Sequence, residues 1–149
     1  HLICPIYLDF ELVWLDYTDP LAPVLVNAAE INACSSAYDD LKADSFIEFE
    51  QVRFSTYQDT EFGYELGSAG LPNWIQYPAI PICPKTNRVM RLVCQLQSGD
   101  SVDTVHTNIA PADDWHAQYF ESLNFWGDGD LFVFFEPGSK MACYLIQHT

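Results

Sequence analysis

Leu131-Phe132-Val133-Phe134-Phe135-Glu136-Pro137-Gly138-Ser139-Lys140-Met141-Ala142-Cys143-Tyr144-Leu145-Ile146-Gln147 is a pair of apolar runs joined by four turn-forming residues. Short apolar runs on either side of such a turn read as the two strands of a β-hairpin. Upstream, Met90, Leu92, Cys94 and Leu96 alternate with Arg91, Gln95 and Gln97, so a strand with the first set on one face is expected. Residues 6–14 alternate too: Ile6, Leu8, Phe10, Leu12 and Trp14 fall on one side, Asp9 and Glu11 on the other, as in a half-buried strand. Thr18-Asp19-Pro20-Leu21-Ala22-Pro23 ends it, because two prolines in four residues cannot sustain a ladder. Further strands are expected at 23–27, where one would be short, and at 47–57, where one would carry a bulge.

Helices are fewer. Residues 28–43 are ambiguous, with a helix at 35–42 that Ser35 or Ser36 can cap. Asp113 or Asp114 can open another, in which Trp115, Tyr119, Phe120 and Leu123 fall at helical spacing. Between the halves, residues 59–87 hold Gly63, Gly67, Gly70, Pro72, Pro78, Pro81 and Pro84, a loop-rich centre that Trp74 and Ile75 can anchor. The expected fold is therefore α+β: one β-rich domain over residues 1–149, mainly antiparallel, with one or two short helices and a C-terminal hairpin.

The composition bounds the function classes. The chain has 149 residues, 49% of them hydrophobic, and 22 aromatics, enough apolar material to argue against disorder. No run of about 18 apolar residues suggests a membrane span. The net charge of −15 makes non-specific nucleic-acid binding unfavourable, since phosphate would be repelled. The charge is uneven: residues 1–65 hold 13 acids and 2 bases, net −11, and residues 66–149 hold 8 acids and 4 bases, net −4. An acidic first half is a solubilising surface or a face for a basic partner. Five spread-out cysteines, an odd number, read as reduced thiols and place the chain in the cytoplasm. No signal-peptide pattern opens the sequence, and His1 is not a natural start, which leaves room for a segment ahead of Leu2.

Chemical motifs are sparse. Cys83-Pro84-Lys85-Thr86 looks like half a zinc knuckle with Thr86 in place of its second cysteine, and Cys94 lies too far along the chain to complete it. Gly67-Ser68-Ala69-Gly70 lacks Gly-x-Ser-x-Gly spacing, so a glycine-permitted turn is the simpler reading. Trp126-Gly127-Asp128-Gly129-Asp130 has two carboxylates between glycines; it suits a tight turn, with Asp128 accepting backbone N–H bonds, better than a calcium loop. Gln76, Gln95, Gln97 and Gln147 sit in apolar segments, where a buried amide must find partners, so pairing with the loop backbone of the glycine-rich centre is expected. No catalytic residue, metal or cofactor is assigned.

Several ordered blocks together carry a family likeness. Leu66-Gly67-Ser68-Ala69-Gly70-Leu71-Pro72-Asn73-Trp74-Ile75-Gln76, Pro81-Ile82-Cys83-Pro84, Met90-Arg91-Leu92-Val93-Cys94-Gln95-Leu96 and Trp126-Gly127-Asp128-Gly129 resemble the YwqG-like family of bacterial proteins of unknown function. They cover the second half of the chain. A more distant likeness is to the programmed cell death protein 2 family, whose members are thought to be chaperones for a ribosomal protein. The resemblance implies a β-rich cytoplasmic protein and supplies no reaction; some relatives are encoded near toxins, which implies an immunity role as one form.

Two functions follow as expectations. The first is a non-catalytic interaction protein that offers its acidic first half to a basic partner, such as a basic toxin, with neither nucleic acid nor membrane involved. The second is a small-molecule binder or enzyme whose site lies between residues 63–84 and the 126–130 turn. Its candidate residues are Gly67, Gly70, Pro72, Trp74, Gln76, Gln95, His116, Trp126, Asp128 and Asp130.

Overall fold

The computed structural model describes residues 12–33, 46–53, 69–99, 102–111, 113–117, 120–125 and 127–149. In chain order the elements are β1 (Leu12–Asp16), β2 (Val24–Leu25), α1 (Ala28–Ala33), β3 (Ile47–Phe49), β4 (Arg91–Gln97), β5 (Thr104–Thr107), α2 (Asp114–Ala117), β6 (Asp130–Glu136) and β7 (Met141–Gln147). The expected hairpin is β6 and β7, in register from Asp130↔Gln147 to Glu136↔Met141. It is the middle of a five-stranded antiparallel sheet, ordered β2-β1-β7-β6-β4, and β3 pairs with β5 in a separate ribbon. The fold is thus β-rich α+β and antiparallel. No helix among the described residues is long and apolar enough to cross a membrane.

Both faces of the sheet are covered, which explains why β6 and β7 read as continuous apolar runs. On the first face Val13, Leu15, Leu131, Val133, Ala142, Tyr144 and Ile146 form a core with Ile31 of α1 and with Val102, Leu123 and Phe125; Phe49 of the ribbon packs against it. On the second face Phe132, Phe134, Met141, Cys143 and Leu145 meet Cys83, Met90, Trp74 and Ala79 from the segment before β4. A layer of loop, not of helix, closes this side.

Two expectations about facing need correction. In β1 the buried residues are Val13 and Leu15, while Leu12 and Trp14 are half-buried on the other face. In β4, Arg91↔Phe135 and Leu92↔Phe134 are followed by Cys94↔Val133, so Val93 is an extra residue. An inserted residue reverses the facing of everything after it. Met90 and Leu92 therefore belong to the second-face core, Cys94 and Leu96 to the first, and Gln95 turns onto the second face opposite Phe132.

The helices differ from expectation as well. α1 starts at Asn27, whose carbonyl accepts from Glu30 and Ile31 N–H, and the helix expected at 35–42 lies outside the described residues. α2 is described at Asp114–Ala117, opened by an Asp113 carbonyl that accepts the Ala117 N–H; Trp115 on it is 58% exposed rather than in the core, and Tyr119 lies outside the described residues. Phe120 and Leu123 are buried, beyond the helix. Of the strand expected over 47–57 the structure shows only β3; residues 50–53 are not strand, residues 54–57 lie outside the description, and the register shift after Glu48 puts the extra residue, Val105, on β5 rather than on the strand expected to carry the bulge.

The β6–β7 turn is tied by Glu136, whose carboxylate accepts the Ser139 hydroxyl at 2.7 Å, the Ser139 N–H at 2.7 Å and the Gly138 N–H at 3.1 Å. The Ser139 hydroxyl bond, helped by the two N–H groups and the nearby Arg88 charge, holds this carboxyl below its ordinary value against a smaller opposing effect of burial. The contribution of the ionised turn is full above the unfolded Glu value of about 4.3. It is lost as pH falls through the lowered folded value. Glu136→Gln should therefore lower the urea midpoint at neutral pH and leave a shallower acid limb than wild type; parallel acid limbs would count against the assignment.

Candidate functional site

The loop that covers the second face has no strand or helix over residues 69–80, so its backbone groups need other partners. Gln95 and Gln147 supply them. Gln95 Oε1 accepts the Asn73 N–H at 2.8 Å, and its Nε2 donates to the Asn73 carbonyl at 3.0 Å and to Asp130 Oδ2 at 2.5 Å. Gln147 Oε1 accepts the N–H groups of Ile75 and Gln76, both at 3.2 Å, and its Nε2 donates to the Tyr77 carbonyl at 2.9 Å. Gln76 answers by donating from Nε2 to the His148 carbonyl at 2.7 Å. Each amide offers one acceptor and two donors in a plane, so it pairs with a peptide group as a neighbouring strand would.

Between the two amides the Trp74 indole lies nearly parallel to Phe132 at 4.9 Å and 21° and to Phe134 at 6.1 Å and 14°. Such ring pairs contribute about 0.5–1.5 kcal/mol beyond the area they bury. Trp74, Gln76, Gln95 and Asp130 are thus brought together with Gln147. Pro72 is half-buried in the same loop, and Gly70 precedes it with a φ of 108°, a backbone setting that favours glycine.

Asp128 is exposed at the end of the sheet and accepts the Thr149 hydroxyl, while the backbone N–H capping expected of it is done by Asn124, whose Oδ1 accepts the Gly127 N–H at 2.8 Å. The neighbouring Gly129 has no room for a Cβ, which would strike the Phe125 carbonyl and come within 2.9 Å of the Gln147 oxygen. His116 belongs to α2. Gly67 and Trp126 lie outside the described residues. Gln147 was visible in the sequence as a glutamine in an apolar run, but nothing there marked it as the partner of Gln95.

At the opposite end of the second face, residues 81–90 form a tight hairpin. Cys83 N–H donates to the Arg88 carbonyl and Asn87 N–H to the Cys83 carbonyl, each at 2.9 Å, and Asn87 takes a φ of 54°. The half-knuckle sequence Cys83-Pro84-Lys85-Thr86 forms this turn, and the Cys83 sulfur lies 3.3 Å from the Ser139 hydroxyl. Burial opposes ionisation of Cys83, yet the hydrogen bonds from Ser139, Thr86 and the Lys85 N–H bring its net value down. Burial pushes the Cys94 thiol up to about 11 and the Cys143 thiol higher still. All three are free, and among the described residues no group of three or more potential ligands is arranged to hold a metal. Lys85 reaches across to Asp16 at 2.6 Å, and that bond, with those from Thr18, keeps the Asp16 carboxyl far below its ordinary value.

No family model matches the chain, and neither a curated protein nor a solved structure matches it.

Two substitutions separate the parts of this arrangement. Gln95→Glu puts a second carboxylate beside Asp130, and two carboxylates so close cannot both ionise without cost. Its urea midpoint should fall at pH 7 and recover as the pH is lowered toward about 4; a loss that does not change with pH would contradict the pairing. Trp74→Ala should cost about 3 kcal/mol at every pH, the low end for removing an indole because this one is only half-buried.

Proposed function

We propose that this chain is a non-catalytic interaction protein that binds a basic protein partner through acidic surface, with the antidote of a basic toxin as one form of that role. The observation that carries the reading is how its charges are placed. Two of the four bases of the second half are engaged by the chain's own acids: Lys85 binds Asp16, and Arg88 lies in the field of Glu136. Glu48, Glu50, Asp103 and Glu121 are exposed, and no cation is paired with Glu48, Glu50 or Asp103 among the described residues. The amide row does not compete for the role, because Gln95 and Gln147 are engaged by the loop and by Asp130. Free Cys83, Cys94 and Cys143 fit a reducing compartment, and the cytoplasm is the proposed location.

An acidic face speeds encounter with a basic partner, and that attraction is screened by salt over about 8–10 Å. Capture from the source cell at low salt should retain a partner of basic isoelectric point that is released as salt rises. A retained set indifferent to salt, or one without basic proteins, would contradict the proposal.

A further inference from the structure

The β3–β5 ribbon turns one face to the core and one to solvent. Ile47 pairs with Thr107 and Phe49 with Thr104 on the inward face, where Phe49 packs on the first-face core. Glu48 pairs with His106 on the outward face. The register shift after Glu48 leaves Val105 as the unmatched residue, 60% exposed. Phe46, 41% exposed, stands two residues before Glu48, with its ring against His106 at 5.3 Å and 57°. Glu50 follows two residues after Glu48, and its N–H donates to the Asp103 carbonyl at 2.9 Å. The exposed face therefore presents a ring, a carboxylate and a second carboxylate in steps of two residues, flanked by Val105 and Asp103.

We infer that this outward face is the docking surface, and that it takes an extended segment of the basic partner with arginine at every second position; the inference rests on the proposed acidic-surface function. The repeat carries the argument. Residues two apart on an extended chain are about 6.7 Å apart, so the side chains of a bound strand in the same alternation meet Phe46, Glu48 and Glu50 in turn. A guanidinium is planar and can stack on the Phe46–His106 rings while donating to the Glu48 carboxylate; an ammonium is a point charge and gains less from the ring. The exposed Phe46 and Val105 add apolar contact that a purely solubilising surface has no need to expose.

The test uses the full chain and three labelled peptides: alternating Arg and Ser, alternating Lys and Ser, and the first composition with its arginines in one block. Alternating arginine should bind tightest at low salt. Glu48→Gln with Glu50→Gln should weaken it about tenfold. Phe46→Ala should reduce the preference for arginine over lysine about threefold. Asp19→Asn, on an exposed acid in the turn between β1 and β2, should leave binding unchanged. All the substituted residues are exposed, and circular dichroism checks that the variants remain folded. If no basic peptide binds at low salt, the acidic-surface function falls and this inference with it. If basic peptides bind wild type and the Glu48/Glu50 variant equally, the ribbon is not the surface, although the general function stands. Equal binding of the arginine and lysine peptides, or of the alternating and blocked ones, overturns the arginine repeat.

Discussion

The second face of the sheet is closed by a loop whose peptide groups find partners in two glutamine side chains. Without Gln95 and Gln147, the N–H groups of Asn73, Ile75 and Gln76 would lie over an aromatic core without these bonds. A fully buried group in that condition costs about 1–3 kcal/mol, and these part-buried ones cost less. The indole of Trp74 can stack on Phe132 and Phe134 because the amides on either side fix the backbone that carries it. Asn27 does the same on another edge: its Oδ1 accepts the Trp14 N–H at 2.9 Å and its Nδ2 donates to the Leu12 carbonyl at 3.0 Å. In three places an amide side chain takes the position of a strand that the fold does not have.

The bulge at Val93 makes the arrangement possible. With an unbroken period of two, Gln95 would share a face with Arg91, whose partner Phe135 packs against the first-face core. The extra residue turns Gln95 toward Asn73 and Asp130 and sends Leu96 into the first-face core. The same device recurs in the ribbon, where the shift after Glu48 brings Val105 out to solvent.

Much of the fold was legible. The hairpin could be read from its turn residues and aromatic runs, and the anchoring role of Trp74 from its place among glycines and prolines. The glutamines invited the expectation that they pair with loop backbone, because an amide inside an apolar segment has few other outcomes. What could not be read were properties of pairing: a bulge is defined by the neighbouring strand, so no periodicity within residues 90–97 reveals that Val93 is the extra residue. Likewise, Val13 and Leu15 are buried because the sheet is covered on both faces, a fact set by distant segments.

Amide hydrogen exchange in the native state tests the central claim most directly. If glutamine side chains close the loop layer, the N–H groups of Asn73, Ile75 and Gln76 exchange nearly as slowly as those of β6 and β7. Gln95→Leu then releases Asn73, and Gln147→Leu releases Ile75 and Gln76, while the strands keep their protection. Exchange of these three N–H groups at loop rates in the unaltered protein, or loss of protection spread evenly over the sheet in both variants, would contradict the account.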